Sequence, residues 1–170
     1  MTIGVPLAAA TAILLRYDQP AVNRFAQQPS PWAVNTSRAG NFAPLIGSVA
    51  LLYGVGRLTH SETARQMGTT GLSALTHSYV ITQALKVITR RQRPDGSNHW
   101  SLPSGHAMTS FALAAAISSH PRVPRWVRIV APAAAGAIAF SRFGARKHYP
   151  SDIALGSTLG WLIGRAVSHR

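Results

Sequence analysis

The sequence predicts an all-α fold: a six-helix transmembrane bundle with its functional groups at one membrane face. Three observations predict it. Six long apolar segments alternate with polar breaks, only 12% of the residues are charged while 46% are hydrophobic, and alanine, leucine and glycine recur through the apolar stretches. An ordinary soluble domain carries roughly 25% charged residues, about twice this share. With 170 residues, no internal repeat and no long linker, residues 1–170 read as a single domain.

The first segment, Ile3 to Leu15, is apolar like a signal-peptide core. No basic residue precedes it and no clear small-x-small cleavage site follows, so a retained first helix is expected. Phe42 to Gly56 and Gly68 to Leu85 follow, separated by the charged break Arg57 to Arg65. Ala107 to Ser119 and Val127 to Phe140 are separated by His120 to Arg125, and Ile153 to Val167 closes the series. Each is too long for a typical strand. Most are shorter than the ~20 residues of a full span, so crossing requires flanking polar residues, a thin bilayer or packing inside protein. Small residues at Ala112, Ala114, Ala115 and Ala116, and at Ala133, Ala134, Ala135 and Gly136, would let backbones approach closely in lipid. A soluble bundle with alanine-rich cores has the same pattern. Trp32, Trp100 and Trp126 stand near segment ends, as interface anchors do, whereas Trp161 falls mid-segment.

Seventeen Lys and Arg against four Asp and Glu give a net charge of +13. That charge must find anions in nucleic acid, lipid headgroups or an anionic substrate, and charge alone does not choose. The chain has no cysteine, which excludes disulfides and cysteine-containing metal sites. If all six segments cross, the connections after the first, third and fifth share one face. Ten of the seventeen basic residues lie there and seven on the other. The positive-inside rule then points that face to the cytoplasm, unless its bases are retained for chemistry.

Three motifs fall on that face. Lys86 stands seven residues before Arg93, which Pro94 follows. Two helical turns would put both cations on one side, with Pro94 ending the helix. A plain basic helix end, favourable to the macrodipole, is the alternative. Next comes Pro103, Ser104, Gly105, His106, just before the fourth apolar segment. Ser104 suits an N-cap, and the helix N-terminus behind it offers N–H groups to an anion, with His106 beside it. An incidental histidine at a capped helix start explains the same residues. Third is Ser141, Arg142, then His148 and Asp152 four residues apart. At that spacing the carboxylate can accept from one ring nitrogen and leave the other free to attack, while Arg142 offers a planar fork to phosphate oxygens. A solvated His148 and an N-capping Asp152 are the bland reading. Together, two histidines, a carboxylate and at least three cations on one face are a set suited to phosphoryl transfer.

Lys-x6-Arg-Pro, Pro-Ser-Gly-His and Ser-Arg-x5-His-x3-Asp resemble the type-2 phosphatidic acid phosphatase and vanadium haloperoxidase superfamily, with every fixed position matched between Lys86 and Asp152. The resemblance implies a small bacterial-type membrane lipid phosphatase. His148 would be the nucleophile, His106 the general acid and Asp152 the residue orienting the nucleophile, while Lys86, Arg93, Ser104, Gly105 and Arg142 would hold the phosphate. It implies no cofactor and no metal, a phosphohistidine intermediate and a bell-shaped pH-rate profile. The expected partners are a lipid phosphate substrate and membrane lipids, not nucleic acid; oligomeric state is not legible. The implied location is the bacterial inner membrane, with the site facing the periplasm or cell exterior.

Candidate substrates are polyprenyl diphosphates such as undecaprenyl diphosphate, phosphatidylglycerol phosphate, phosphatidic acid and lipid A phosphates. Arg90, Arg91, Arg146 and Lys147 are read as contacting lipid headgroups. His60, His77, His99, His120 and His169 are read as structural or solvated. The rival readings are a vanadate-dependent haloperoxidase, a soluble periplasmic acid phosphatase and a non-catalytic protein that binds anionic lipid.

Overall fold

A computed structural model describes residues 4–169, with side chains from residue 11 onward except residue 12. The first residues of the Ile3 to Leu15 segment lie partly outside this description. Seven helices and no strand occur among the described residues: α1 (Gly4–Phe25), α2 (Pro31–Ala39), α3 (Phe42–Leu58), α4 (Glu62–Thr89), α5 (Gly105–Ser118), α6 (Arg125–Gly144) and α7 (Pro150–Ser168). The all-α expectation is met. The count of six missed α2, which begins with Pro31 in its first turn, where the missing N–H costs nothing. Trp32 on α2 stacks on Phe140 of α6 with ring centroids 6.3 Å apart.

Among the described residues two stretches are long and apolar enough to cross a membrane, Pro31–Leu58, which joins α2 to α3, and Arg125–Gly144, so a bundle of six spans is not established by length and composition. The other helices are shorter or more polar: α5 has 14 residues, and α4 carries Glu62, Arg65 and Lys86.

The bundle is built around α5, which packs against α4, α6 and α7. Its contact with α7 is a backbone contact. Gly156, Gly160 and Gly164 recur every fourth residue on one face of α7, and Cβ atoms there would lie 2.6, 2.2 and 2.1 Å from the carbonyl oxygens of Ser104, Met108 and Ala112. The repeat of small residues thus matches a repeat of carbonyls on α5, and only glycine permits the approach. Ala112, Ala114, Ala115 and Ala116 are buried as expected. On α6 the expectation holds for Ala135, which is buried, and fails for its neighbours. Ala133 and Ala134 are exposed, and nothing lies within 4 Å of a Cβ built on Gly136. The α5–α7 seam brings the N-termini of the two helices together, with Ser104 N–H donating to the Asp152 carbonyl at 3.0 Å.

Candidate active site

The three motifs converge at one end of the bundle. α4 ends at Thr89 because Arg90 takes a left-handed conformation (φ 43°) as C-cap. Lys86 is therefore on the helix and Arg93 in the connection beyond it, not two turns along one helix as its spacing suggested. The α4–α5 connection then brings Ser101 and Pro103 into the interior. Ser104 caps α5, its hydroxyl accepting from Ala107 N–H at 3.5 Å. The Lys86 ammonium reaches the start of α5: a Cβ on Gly105 would stand 3.7 Å from Lys86 Nζ.

His148, 1% exposed, sits in the α6–α7 connection among these groups. Its Nδ1 is 2.7 Å from the Ser101 carbonyl oxygen, which fixes the proton on Nδ1 and leaves Nε2 as the other ring nitrogen. The expected Asp152 acceptor is not the nearest one: Asp152 Oδ2 is 3.7 Å from Nδ1. That oxygen instead accepts from the Ser101 hydroxyl at 2.5 Å and from Tyr149 N–H at 2.8 Å. Asp152 thus acts on the imidazole at second hand, by charge and through Ser101. Burial pushes the His148 pKa down to about 4, with Arg142 and Arg93 also lowering it and Asp152 opposing them.

The phosphate-binding candidates are gathered, and two of them are short of partners. Arg142 is buried, yet its Nε has no hydrogen-bond partner among the described residues, and neither does Nε of Arg93 or, outside this group, of Arg146. Orphaned guanidinium donors in a protein interior are costly unless an anion completes them. His106 Nε2 lies 2.9 Å from Asn41 Oδ1, at the junction of α2 and α3. His106 is half-buried in the first turn of α5. A cavity of about 160 Å³ is lined by His106, Lys86, Gly105, Phe42 and Tyr79. A second, of about 420 Å³, lies on the other side of Lys86, against Val87, Arg90, His99 and Trp100. Among the described residues no group of three or more His, Asp or Glu is arranged to hold a metal ion.

Sequence reasoning missed the support behind Asp152. Arg91, read as a headgroup contact, instead donates to Asp152 Oδ1 at 2.7 Å, to Asp18 Oδ2 at 2.6 Å and to the Ser151 hydroxyl at 2.7 Å, and its guanidinium lies 4.2 Å from the Tyr149 ring centroid. Arg146 and Lys147 are also structural ties. Arg146 donates to the Gln27 carbonyl, and Lys147 pairs with Asp95 at 2.5 Å. Asp95 is held near pH 2: burial pushes the pKa up, but hydrogen bonds from Lys147 and Ser97 outweigh it. A carboxylate so placed signals nothing in sequence; only the fold brings Asp18 to α7.

Residues 68–170, more than half of the chain, match the sequence pattern of the PAP2 superfamily. Over 99 residues the chain is 33% identical to a decaprenylphosphoryl-5-phosphoribose phosphatase of Mycobacterium tuberculosis, covering 53% of each protein. It is 36% identical over 76 residues to a lipid A 1-phosphatase of Porphyromonas gingivalis, covering 44% of this chain and 17% of that protein. The chain thus spans about half the length, or less, of these relatives. Its fold resembles that of a transmembrane PAP2-type phosphatidylglycerolphosphate phosphatase from Bacillus subtilis, with a TM-score of 0.81 at 22% identity over 99% of this chain and 96% of the other. LpxE of Aquifex aeolicus gives 0.74 at 17% identity, covering 90% and 95%.

Proposed function

We propose, from the premise that the chain belongs to the PAP2 superfamily, that it is an integral-membrane phosphatase removing a terminal phosphate from a lipid phosphate or lipid diphosphate. The observation that carries this is the pair of unpartnered buried guanidinium nitrogens, Arg93 Nε and Arg142 Nε, facing the same site as His148. Lys86, the N–H groups at the start of α5 around Ser104 and Gly105, and these two arginines would cradle the three oxygens of a phosphoryl group.

In this reading Nε2 of His148 attacks phosphorus in line as the bond to the leaving oxygen breaks, and His106 gives that oxygen its proton. His106 then takes a proton from water, whose oxygen displaces His148 and releases inorganic phosphate. The low pKa of His148 keeps Nε2 unprotonated well into acid. His106 stands beside the same phosphate cradle, among cations. A bound phosphate dianion reverses that field, so the proton arrives with the substrate. Asp152, linked to His148 through Ser101, supports the imidazolium that forms. The cavity beside Lys86 with Arg90, His99 and Trp100 offers room for the polar group next to the scissile phosphate.

The test is hydrolysis of phosphatidic acid, phosphatidylglycerol phosphate, undecaprenyl diphosphate and lipid A by detergent-purified protein, with alkaline quenching to preserve phosphohistidine. Labelled substrate should mark wild type and not His148→Ala, whose turnover falls by about 10⁴-fold or more. Label persisting in that variant removes the assignment. Membrane placement is the second half of the proposal: α1 and α3 to α7 cross, and the site faces away from the cytoplasm. Setting Lys86, Arg93 and Arg142 aside as chemical leaves seven bases on each face (10 − 3 = 7 against 17 − 10 = 7). Because the chain has no cysteine, Ser97→Cys in the α4–α5 connection and Ser119→Cys at the far end of α5 can be labelled singly. An impermeant thiol reagent on intact cells should reach position 97 and not 119; the reverse inverts the topology.

A further inference from the structure

We propose that Asp18, on α1, is a positioning residue that sets the effective charge of the Asp152 carboxylate behind His148 by sharing Arg91 between two buried carboxylates. This rests on the reading of His148 as nucleophile. Asp18 is 2% exposed and Asp152 is fully buried, and one guanidinium serves both, through its two terminal nitrogens at 2.6 and 2.7 Å. Asp18 also accepts from Ser151 N–H at 3.0 Å and from the Ser151 hydroxyl, so it is fixed to the first turn of α7, next to Asp152. It lies outside residues 68–170, where the superfamily pattern matches.

The charges show what this sharing does. Asp18, Arg91 and Asp152 together carry one net negative charge. Were Asp18 neutral, Arg91 would belong to Asp152 alone and cancel it. His148 would then lose the negative charge that supports its imidazolium, while Arg142 and Arg93 continue to oppose that form. Were Arg91 missing, two carboxylates would stand close together with no cation between them, each disfavouring the charge of the other. The remaining charged neighbours are Lys86 and Arg93 on the phosphate side and Arg146 beside Tyr149. None of them is hydrogen-bonded to Asp18 or Asp152 among the described residues. The stacking of Arg91 on the Tyr149 ring holds the guanidinium plane so that both forks engage.

The prediction is an order among variants that a purely structural role does not produce. Asp18→Asn takes the cluster from −1 to neutral, Arg91→Met takes it to −2, and the double variant returns it to −1. For the full-length protein in detergent, each single substitution should lower kcat by about 10–100-fold with KM within about twofold, the scale of other supporting residues around reacting groups. The double variant should turn over faster than either single one. Asp18→Ser, which removes the same charge with a smaller side chain, is the parallel neutral variant. Vanadate binding, made by the groups on the far side of His148, reports whether each variant is folded. A double variant slower than both singles, or a loss confined to KM, overturns the proposal while leaving the phosphatase reading intact. Wild-type protein that hydrolyses no lipid phosphate overturns both.

Discussion

On one side of His148 lie Asp18, Arg91, Ser101, Ser151 and Asp152, where each named hydroxyl, carboxylate and guanidinium has a partner, most at 2.5 to 3.0 Å. On the other side lie Lys86, Arg93 and Arg142, three cations gathered at the same end of the bundle. There two guanidinium Nε atoms are buried with nothing to bond among the described residues. Both sides are polar, but the back is the more deeply buried, and Lys86 and Arg93 on the front are half-buried. Saturation separates the two sides further. The back is a finished structure whose groups stabilise one another, and the front is unfinished until an anion enters. Unpaired buried guanidinium donors lower a protein's stability, and in the proposed function that loss is offset by binding of the transition state.

The largest effect that sharpens this contrast is on the front. Arg142→Ala should lower kcat/KM by about 10²–10³-fold, the scale for removing one donor aimed at developing charge, and weaken vanadate inhibition with it. The thermal midpoint in detergent should hold or rise, because a buried unpaired charge is gone. A fall in stability accompanied by normal turnover would erase the distinction between the two sides.

Sequence alone exposed the front far better than the back. Lys86, Arg93, Ser104, His106, Arg142, His148 and Asp152 stand in three short motifs with fixed spacing, and the fold brings all three to one end of the bundle. Supporting residues have no such spacing. Asp18 and Ser151 are 133 positions apart, and Asn41 and His106 are 65 apart, so their pairing exists only after α1, α3, α5 and α7 are packed. Arg91 was misread because a basic residue in a basic run resembles its neighbours until a carboxylate is found opposite. The direct His148 to Asp152 bond inferred from the four-residue spacing gave way to Ser101, whose carbonyl and hydroxyl come between them from another connection. Helix boundaries moved for local reasons: Arg90 ends α4 by turning left-handed, and Pro31 starts a helix the apolar pattern did not mark.

A smaller effect tests whether the seam between α5 and α7 is what holds front and back in register. The seam is legible in sequence, since Gly156, Gly160 and Gly164 repeat at one helical face. A Cβ at position 160 would stand 2.2 Å from the Met108 carbonyl oxygen, and 2.9 Å from its carbonyl carbon. Both are backbone atoms of α5, which no rotamer change can move aside. Gly160→Ala must therefore push the two helices apart, at a cost of about 1–3 kcal/mol for overpacking. In an open helix the same change would instead gain close to 1 kcal/mol of helix propensity. Gly136→Ala supplies that control, because its Cβ would meet nothing within 4 Å. The expected result is a lower thermal midpoint for Gly160→Ala and an unchanged or higher one for Gly136→Ala. Turnover by Gly160→Ala should fall by only a few-fold, since every reacting group is present but Ser104 and Asp152, joined across the seam at 3.0 Å, are moved apart. If Gly160→Ala is as stable as wild type, the close backbone contact does not hold the site together, and the register of front and back must come from the Arg91 cluster alone.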